Sequence, residues 1–593
     1  MRVADYIFER LSNIGVRNVY LVTGRGALFL TDAVAKNKKL NHFPMHHEQS
    51  CGYAAAAEAQ LTNSMSACLV STGCASTNAL TPVLSAYQDS LPVFFISGQN
   101  ILHETSRYNK NSIRTYGQQE ADIIEIVKPI TKYAHMVTCS EEVPRVMDSA
   151  ISHALSGRKG PVWIDVPLDI QSAVLDILPE ECNTKLDVQA CTPDVFDIKF
   201  IVQQLSYASR PVVLIGSGVH LSDASEKLIS FIECNNLPLV YAPSAPDVVP
   251  LEHKNSIGSL GSMGCSRAGA LAVQNSDFLL VLGHRLNSYV TGPDFCTFAR
   301  ESEIFVVDID KVEHTKKGVK IDRFIHSDIG YFLDQMPERK LTKSAVSSWL
   351  EVARDWKESY KSVDYFKFTE TVDLYDLSEN LSHVLQKNAI LITDSGFAEI
   401  IIPSNMNFSH GKRSIHPVSQ GAMGFALPAA VGVYASHPER QVVVVVGDGS
   451  IMMNLQELQT LKHFSIPVKV IVLNNNGYSI IRRRQKELFR KRTIGTDDSN
   501  GVSVPDFSKL AKAFGFKYFS VGSSVDLESG LQKALNAEGS VLCEVLCRED
   551  QQYPEVSYGR NSEGRFVRRP LEDQYPFLDR DDIRSQMIIP FLD

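Results

Sequence analysis

The chain has 593 residues, 44% apolar and 21% charged, and its net charge of -9 is spread along the whole length. At roughly 150 residues per domain this length calls for three or four cores, while the mild acidity argues against a nucleic-acid surface. No apolar run approaches the ~20 residues that cross a bilayer, and eleven cysteines without CxxC pairs exclude a disulfide framework and a structural zinc site as expectations.

The N-terminal MRVADYIFERLSNIGV carries charges inside an apolar periodicity and reads as a first helix rather than a leader, so a cytoplasmic location is expected. Short β-branched runs then alternate with helical patterns, which implies parallel sheets covered by helices. The first set is NVYLVT, a helix from about Ala27, SACLVST, a helix from Asn78 to Tyr87, PVFFISG and GPVWIDVPLDI; it spans 1–180, and the polar stretch Pro179–Pro193 reads as a linker. A second set, 190–345, runs RPVVLIGSG, LPLVYA, DFLLVLG and EIFVVDID, and fades into a charged helical stretch from Leu341 to Lys367. The third, 370–550, runs AILITDSG, a helix from Gly424 to His437, QVVVVVGDGS, a helix from Met453 to Phe464, PVKVIVLNN and SVLCEVLC. Residues 551–593 are arginine-rich and end in MIIPFL, a tail expected to pack near the active site. The fold class is α/β, three domains with parallel sheets flanked by helices.

The sharpest motif is GDGS at Gly447–Ser450, directly after an apolar strand, followed by Asn475 27 positions after Asp448. Both stand where strands end, the place at which open α/β sheets bind ligands and where glycines let backbone N–H groups reach a phosphate. Magnesium takes hard oxygen ligands, and Asp448 and Asn475 supply them. Two unrelated turns are the alternative. Glu48, in HHEQS before an alanine-rich helix, is either a solvated helix-start acid or a base beside a cofactor.

Here the chain resembles the thiamine-diphosphate-dependent enzymes, whose diphosphate motif is a Gly-Asp-Gly followed a little under thirty residues later by Asn-Asn. The resemblance implies that Asp448, Asn475 and the carbonyl of Gly477 bind magnesium and that Gly447, Gly449 and Ser450 hold the diphosphate. It implies that Glu48 bonds the aminopyrimidine ring and drives deprotonation of the thiazolium carbon. It extends over nearly the whole chain, and most closely to the acetolactate synthase-like branch, through STGCASTNAL, GQQE at Gly117–Glu120 and QGAMGFALPAA at Gln420–Ala430. On that basis Met423 bends the cofactor, Gln119 lines the reaction centre, and Thr23, Gly24, Gly73, Asn78, Gly396, Gly421 and Tyr478 are further cofactor contacts.

In that branch the central domain binds FAD, and Arg158, Gly216, Gly218, Arg285, Asp308 and Asp328 fall where flavin contacts are expected; an empty, vestigial domain is the alternative. The resemblance further implies a homodimer or homotetramer whose cofactor sites draw on two subunits. The expected reaction decarboxylates a 2-oxo acid such as pyruvate and transfers the two-carbon unit to a carbonyl acceptor. Two departures bear on that acceptor: GYSIIRRRQKELF carries arginine where the branch has a tryptophan, and Leu168 replaces a lysine. Arg482, Arg483 and Arg484 suit an anionic acceptor such as a nucleotide-linked keto sugar, or are a solvated helix face. A 2-oxo acid decarboxylase or C–C hydrolase, a flavin-dependent pyruvate oxidase-like enzyme and a non-catalytic partner remain as rival readings.

Overall fold

In the computed structural model, residues 1–110, 112–176, 190–361 and 370–593 are described. Most of the expected linker at Pro179–Pro193, and the end of the charged stretch before Lys367, lie outside the described residues. Three six-stranded sheets follow one another along the chain, every strand pair in them parallel.

The first sheet holds β1 (Asn18–Leu21), β2 (Asn41–Pro44), β3 (Ser66–Val70), β4 (Val93–Gln99), β5 (Tyr133–Met136) and β6 (Val162–Pro167) in the order β2-β1-β3-β4-β6-β5. The second holds β7 (Pro211–Ile215), β8 (Leu239–Tyr241), β9 (Ser256–Ser259), β10 (Phe278–Leu282), β11 (Glu303–Asp308) and β12 (Arg323–His326), ordered β12-β11-β10-β7-β8-β9. The third holds β13 (Ile390–Ile392), β14 (Arg413–Ile415), β15 (Val442–Gly447), β16 (Lys469–Asn474), β17 (Lys517–Val521) and β18 (Val541–Leu546), ordered β14-β13-β15-β16-β18-β17. Inner strands such as β4, β7 and β10 are buried along their whole length, because helices cover both faces of a parallel sheet.

The strand orders locate the sites before any side chain is considered. In each sheet the connections run one way from one strand and the other way from its neighbour, which opens a crevice at the carboxyl ends of β1 and β3, β7 and β10, and β13 and β15.

The alanine-rich helix Glu48–Thr62 of the first unit lies against Ala426–Ser436 of the third. A Cβ at Gly432 would stand 2.0 Å from the carbonyl oxygen of Ala54, so this close approach needs glycine. One apolar cluster runs through both units.

The tail docks on the central unit. Leu571 and Ile583 join the apolar cluster beneath the helices Arg267–Gln274 and Ala345–Ser359. Arg267 donates to the carbonyls of Gln574 and Pro576, and Glu572 receives Gln274 and pairs with Arg300 at 2.8 Å. Only its beginning reaches the third unit, where Glu555 pairs with Arg483 and Arg484. Among the described residues no helix is long and apolar enough to cross a membrane.

Candidate active site

Strand β15 ends at Gly447 and delivers Asp448 into the crevice beside β13. Asp448 is buried, and its carboxylate accepts three backbone N–H groups: Gly449 at 2.7 Å, Asn475 at 3.0 Å and Gly477 at 3.0 Å. Those bonds pin the turn after β16 against the turn after β15. Burial raises the Asp448 carboxyl above its ordinary range, so the anion gains from a cation beside it. Asn475, whose backbone N–H is one of those donors, also carries a buried side-chain Oδ1 that has no hydrogen-bond partner. A buried, orphaned acceptor next to a buried carboxylate fits a hard cation, and this donor set suits magnesium. Gly477 sits at φ +110°, a Cβ added there would stand 2.3 Å from the Thr496 carbonyl oxygen, and a Cβ on Gly449 would overlap the ring of Tyr478 at 2.3 Å. The turn therefore requires both glycines.

Around this pair the structure adds Asp394, which the sequence did not single out. Ser450 donates to Asp394 at 2.6 Å, and Gly424 N–H reaches both, so the hydroxyl expected to hold a diphosphate is committed to Asp394. Burial lifts the Asp394 carboxyl to about 6. Asp394 follows β13 directly and could have been found as an acid at a strand's carboxyl end. Gly396 (φ +72°) and Gly421 (φ +54°) border the same loop region, and Met423 lies half-buried three residues before the helix Ala426–Ser436 rather than within it. Arg482, 3% exposed, donates to the carbonyls of Asn475, Asn476 and Glu549, bracing the turn after β16. The arginine run is thus divided: Arg482 is internal, Arg483 is largely covered and stacks over Tyr553 at 4.7 Å, and Arg484 stays 44% exposed, the last two sharing Glu555.

The first unit gathers its own expected residues at the β1/β3 crevice. Glu48 opens its helix, capped by His47, and accepts from Asn78 at 2.9 Å. Gly24 packs on the Ser71 side chain, and Thr23 beside it is exposed. Gly73, at φ +64°, leaves 1.7 Å between an added Cβ and the carbonyl oxygen of Gln119, itself held at φ +58°. A non-glycine residue in this region is a costly conformation that the loop must impose. Gln119 is exposed on this face together with Asn78. Gln49 and Ser50, the next residues after Glu48, bond to Asn454 of the third unit at 3.0 and 3.1 Å.

A cleft opens at the β7/β10 crevice, lined by Arg158, Gly218, Arg285, Asp308 and Asp328 among others. Gly216, just before the lining residues, packs against the turn after β10, where an added Cβ would meet the Gly283 carbonyl oxygen at 2.5 Å. Arg158 already pairs with Asp310 and Glu313, Arg285 reaches Ser419, and Asp328 caps the helix Ile329–Asp334. Strand-end glycines and two arginines at a sheet crevice fit a dinucleotide. In protein loaded with FAD, Gly216→Val is expected to abolish the visible flavin absorbance while leaving the far-ultraviolet circular dichroism in place, since a buried branched side chain would push the turns after β7 and β10 apart beside the cleft.

Three family descriptions cover the chain: the N-terminal thiamine pyrophosphate-binding domain of thiamine pyrophosphate enzymes at residues 1–126, their central domain at 198–336, and their C-terminal thiamine pyrophosphate-binding domain at 394–545. The acetolactate synthase large subunit of Corynebacterium glutamicum is 30% identical, covering 99% of this chain and 93% of its own. The acetolactate synthase isozyme 3 large subunit of Escherichia coli is 30% identical over 90% and 92%. That of Haemophilus influenzae is 28% identical over 96% and 99%. With the phosphate-side turn, the glutamate helix and the central cleft each at its own sheet crevice, the chain belongs to the thiamine pyrophosphate enzyme family, on its acetolactate synthase large-subunit branch.

Proposed function

We propose that this thiamine-diphosphate-dependent carboligase takes a two-carbon unit from pyruvate and joins it to a carbonyl acceptor, a second pyruvate or an anionic keto sugar. The observation that carries the reading is the turn pair at Asp448 and Asn475, where a buried carboxylate that binds both turns stands with a buried amide oxygen that has no hydrogen-bond partner. Relatives named for acetolactate, the product of two pyruvates, support pyruvate in both roles. They do not favour the decarboxylase, hydrolase, oxidase or non-catalytic readings.

When bound, thiamine diphosphate supplies the electron sink that carbon–carbon chemistry beside a carbonyl needs. In our reading Asp448, Asn475 and the Gly477 carbonyl hold magnesium, and Arg482 keeps their turn in place. Gly447, Gly449 and Tyr478 shape the diphosphate seat. Glu48 moves the proton that activates the cofactor, Asn78 orients Glu48, and Gln119 faces the reacting carbon. FAD occupies the central cleft.

A second copy of the chain completes the site in this reading. Met453 is 50% exposed, three residues after Ser450, with Ile481 and Phe489 similarly open, while Thr23, Asn78 and Gln119 are exposed on the first unit. An apolar face beside a catalytic one suits a self-complementary partner that also excludes water. A cytoplasmic setting is part of the same reading and rests on the cysteine spacing.

The test is carbon dioxide release from pyruvate by protein loaded with thiamine diphosphate and magnesium, with and without added acceptors. Release accelerated by an acceptor is expected. Release of free acetaldehyde at the same rate under all conditions would mean a decarboxylase instead.

A further inference from the structure

The one-turn helix Phe397–Ile400 behind Gly396 carries a side chain that no step above uses. Glu399 lies against the loop that bears Met423: its Oε2 is 2.7 Å, and its Oε1 3.7 Å, from where a Cβ on Gly421 would stand. Neither oxygen has a hydrogen bond or ion pair among the described residues, although part of the side chain still reaches solvent. The next loop residue, Gln420, also has a buried Oε1 without a partner. The groups acting electrostatically on the carboxyl are acids, Asp394 of the third unit and Asp89 of the first. Tyr289 of the central unit is within reach as well, its hydroxyl donating to the Met263 carbonyl. Burial first, and then Asp394 and Asp89, hold the Glu399 carboxyl well above the usual carboxylate range. A carboxylic acid so placed is a hydrogen-bond donor near neutral pH, the arrangement by which other buried acids serve as proton sources.

We propose that Glu399 is the catalytic acid of the ligation step, donating its proton to the carbonyl oxygen of the acceptor at the loop that holds Gly421 and Met423. The inference rests on the carboligase reading above. The new bond joins the two-carbon unit to the acceptor's carbonyl carbon. The acceptor's C=O pair moves onto its oxygen, which takes the proton from Glu399. When the hydroxyl on the two-carbon unit becomes the carbonyl of the product, its proton returns to Glu399 and the bond that would tie the unit to the cofactor breaks, its electron pair staying with the cofactor, so each cycle ends with the acid restored and consumes no oxidant or reductant. The task differs from that of Glu48, which acts before any acceptor is present. Geometry supports the division, since Glu48 opens a helix of the first unit and Glu399 stands on the third, beside the opposite loop.

The experiment compares wild type, Glu399→Gln and Glu399→Asp as full chains loaded with thiamine diphosphate and magnesium. Three quantities are read: thiamine diphosphate affinity from quenching of intrinsic fluorescence, oxidation of pyruvate by ferricyanide, and ligation of pyruvate to pyruvate, 2-oxobutyrate or a nucleotide-linked 4-keto sugar. In Glu399→Gln ligation is expected to fall about 10²-fold, the usual worth of a general acid, with affinity and ferricyanide reduction unchanged. Glu399→Asp, which keeps a proton, should lie between the two. Unchanged ligation, an equal loss in both rates, an aspartate no better than glutamine, or lost cofactor affinity in both variants would each overturn the assignment. Wild type that reduces ferricyanide but ligates none of the acceptors would instead sink the carboligase reading, and the acid with it.

Discussion

Glu48→Gln is expected to lower turnover by about 10³-fold while thiamine diphosphate and magnesium still bind. Glutamine keeps the shape and one acceptor oxygen, so the 2.9 Å bond from Asn78 survives and the start of the helix Glu48–Thr62 is undisturbed. What disappears is the capacity to hold and release a proton beside the cofactor, and that deficit falls on the activation step common to every donor and acceptor. The loss should therefore appear equally in pyruvate decarboxylation, ferricyanide reduction and ligation, a pattern unlike that expected of Glu399→Gln. Exchange of the cofactor's thiazolium proton, followed by nuclear magnetic resonance after quenching, isolates the step. Exchange at the wild-type rate in Glu48→Gln would remove Glu48 from the role. Asn78→Ala leaves the carboxylate in place and unoriented, and a loss of about tenfold is expected in the same exchange measurement.

The sheet interiors were legible and the sheet edges were not. All twelve apolar runs read as strands are inner strands or their continuations, buried over most of their length and so apolar at most positions. The six strands that went unread, β2, β5, β9, β12, β14 and β17, are the two edges of each sheet. They are short and pair on one side only, and several are polar: NHFP in β2 is mostly exposed, and KYFSV in β17 reads nearly the same. An edge strand escapes a hydrophobic pattern because solvation and charge at an edge guard against unwanted pairing. The same physics divides the site. The positions of Asp448, Asn475 and Glu48 were legible because each sits at a strand or helix end that a pattern marks. The surroundings of Asp394, Asn454 and Glu399 were not, since they come from contacts between segments far apart in the chain, such as Ser50 with Asn454. The arginine run shows the limit clearly. Composition can offer only an anion site or a wet face, while the partners that decide the matter, the carbonyl of Glu549 and the carboxylate of Glu555, lie about seventy positions downstream.

Asp448→Asn is expected to remove the response to magnesium, and the magnitudes separate that loss from damage to the turn. At a cofactor concentration 100 times the wild-type Kd, binding stabilises the folded protein by about 2.7 kcal/mol, and a variant bound 100-fold more weakly gains only about 0.4 kcal/mol. The upward shift in thermal midpoint on adding thiamine diphosphate and magnesium should therefore nearly vanish. Asparagine at 448 has a second effect, however, because the carboxylate accepts N–H groups on both oxygens. An amide sets its own N–H₂ against one of those donors, at about 1–3 kcal/mol for the unsatisfied group, so the protein without cofactor should also melt earlier. Asn475→Ala isolates the metal. The oxygen it deletes makes no hydrogen bond, whereas the backbone N–H that binds Asp448 remains. Its cofactor-free midpoint should match wild type while the magnesium-dependent shift is lost. If Asn475→Ala still gains the full shift, the orphaned oxygen does not face the cation, and the magnesium ligands must be sought elsewhere around the β13 and β15 crevice.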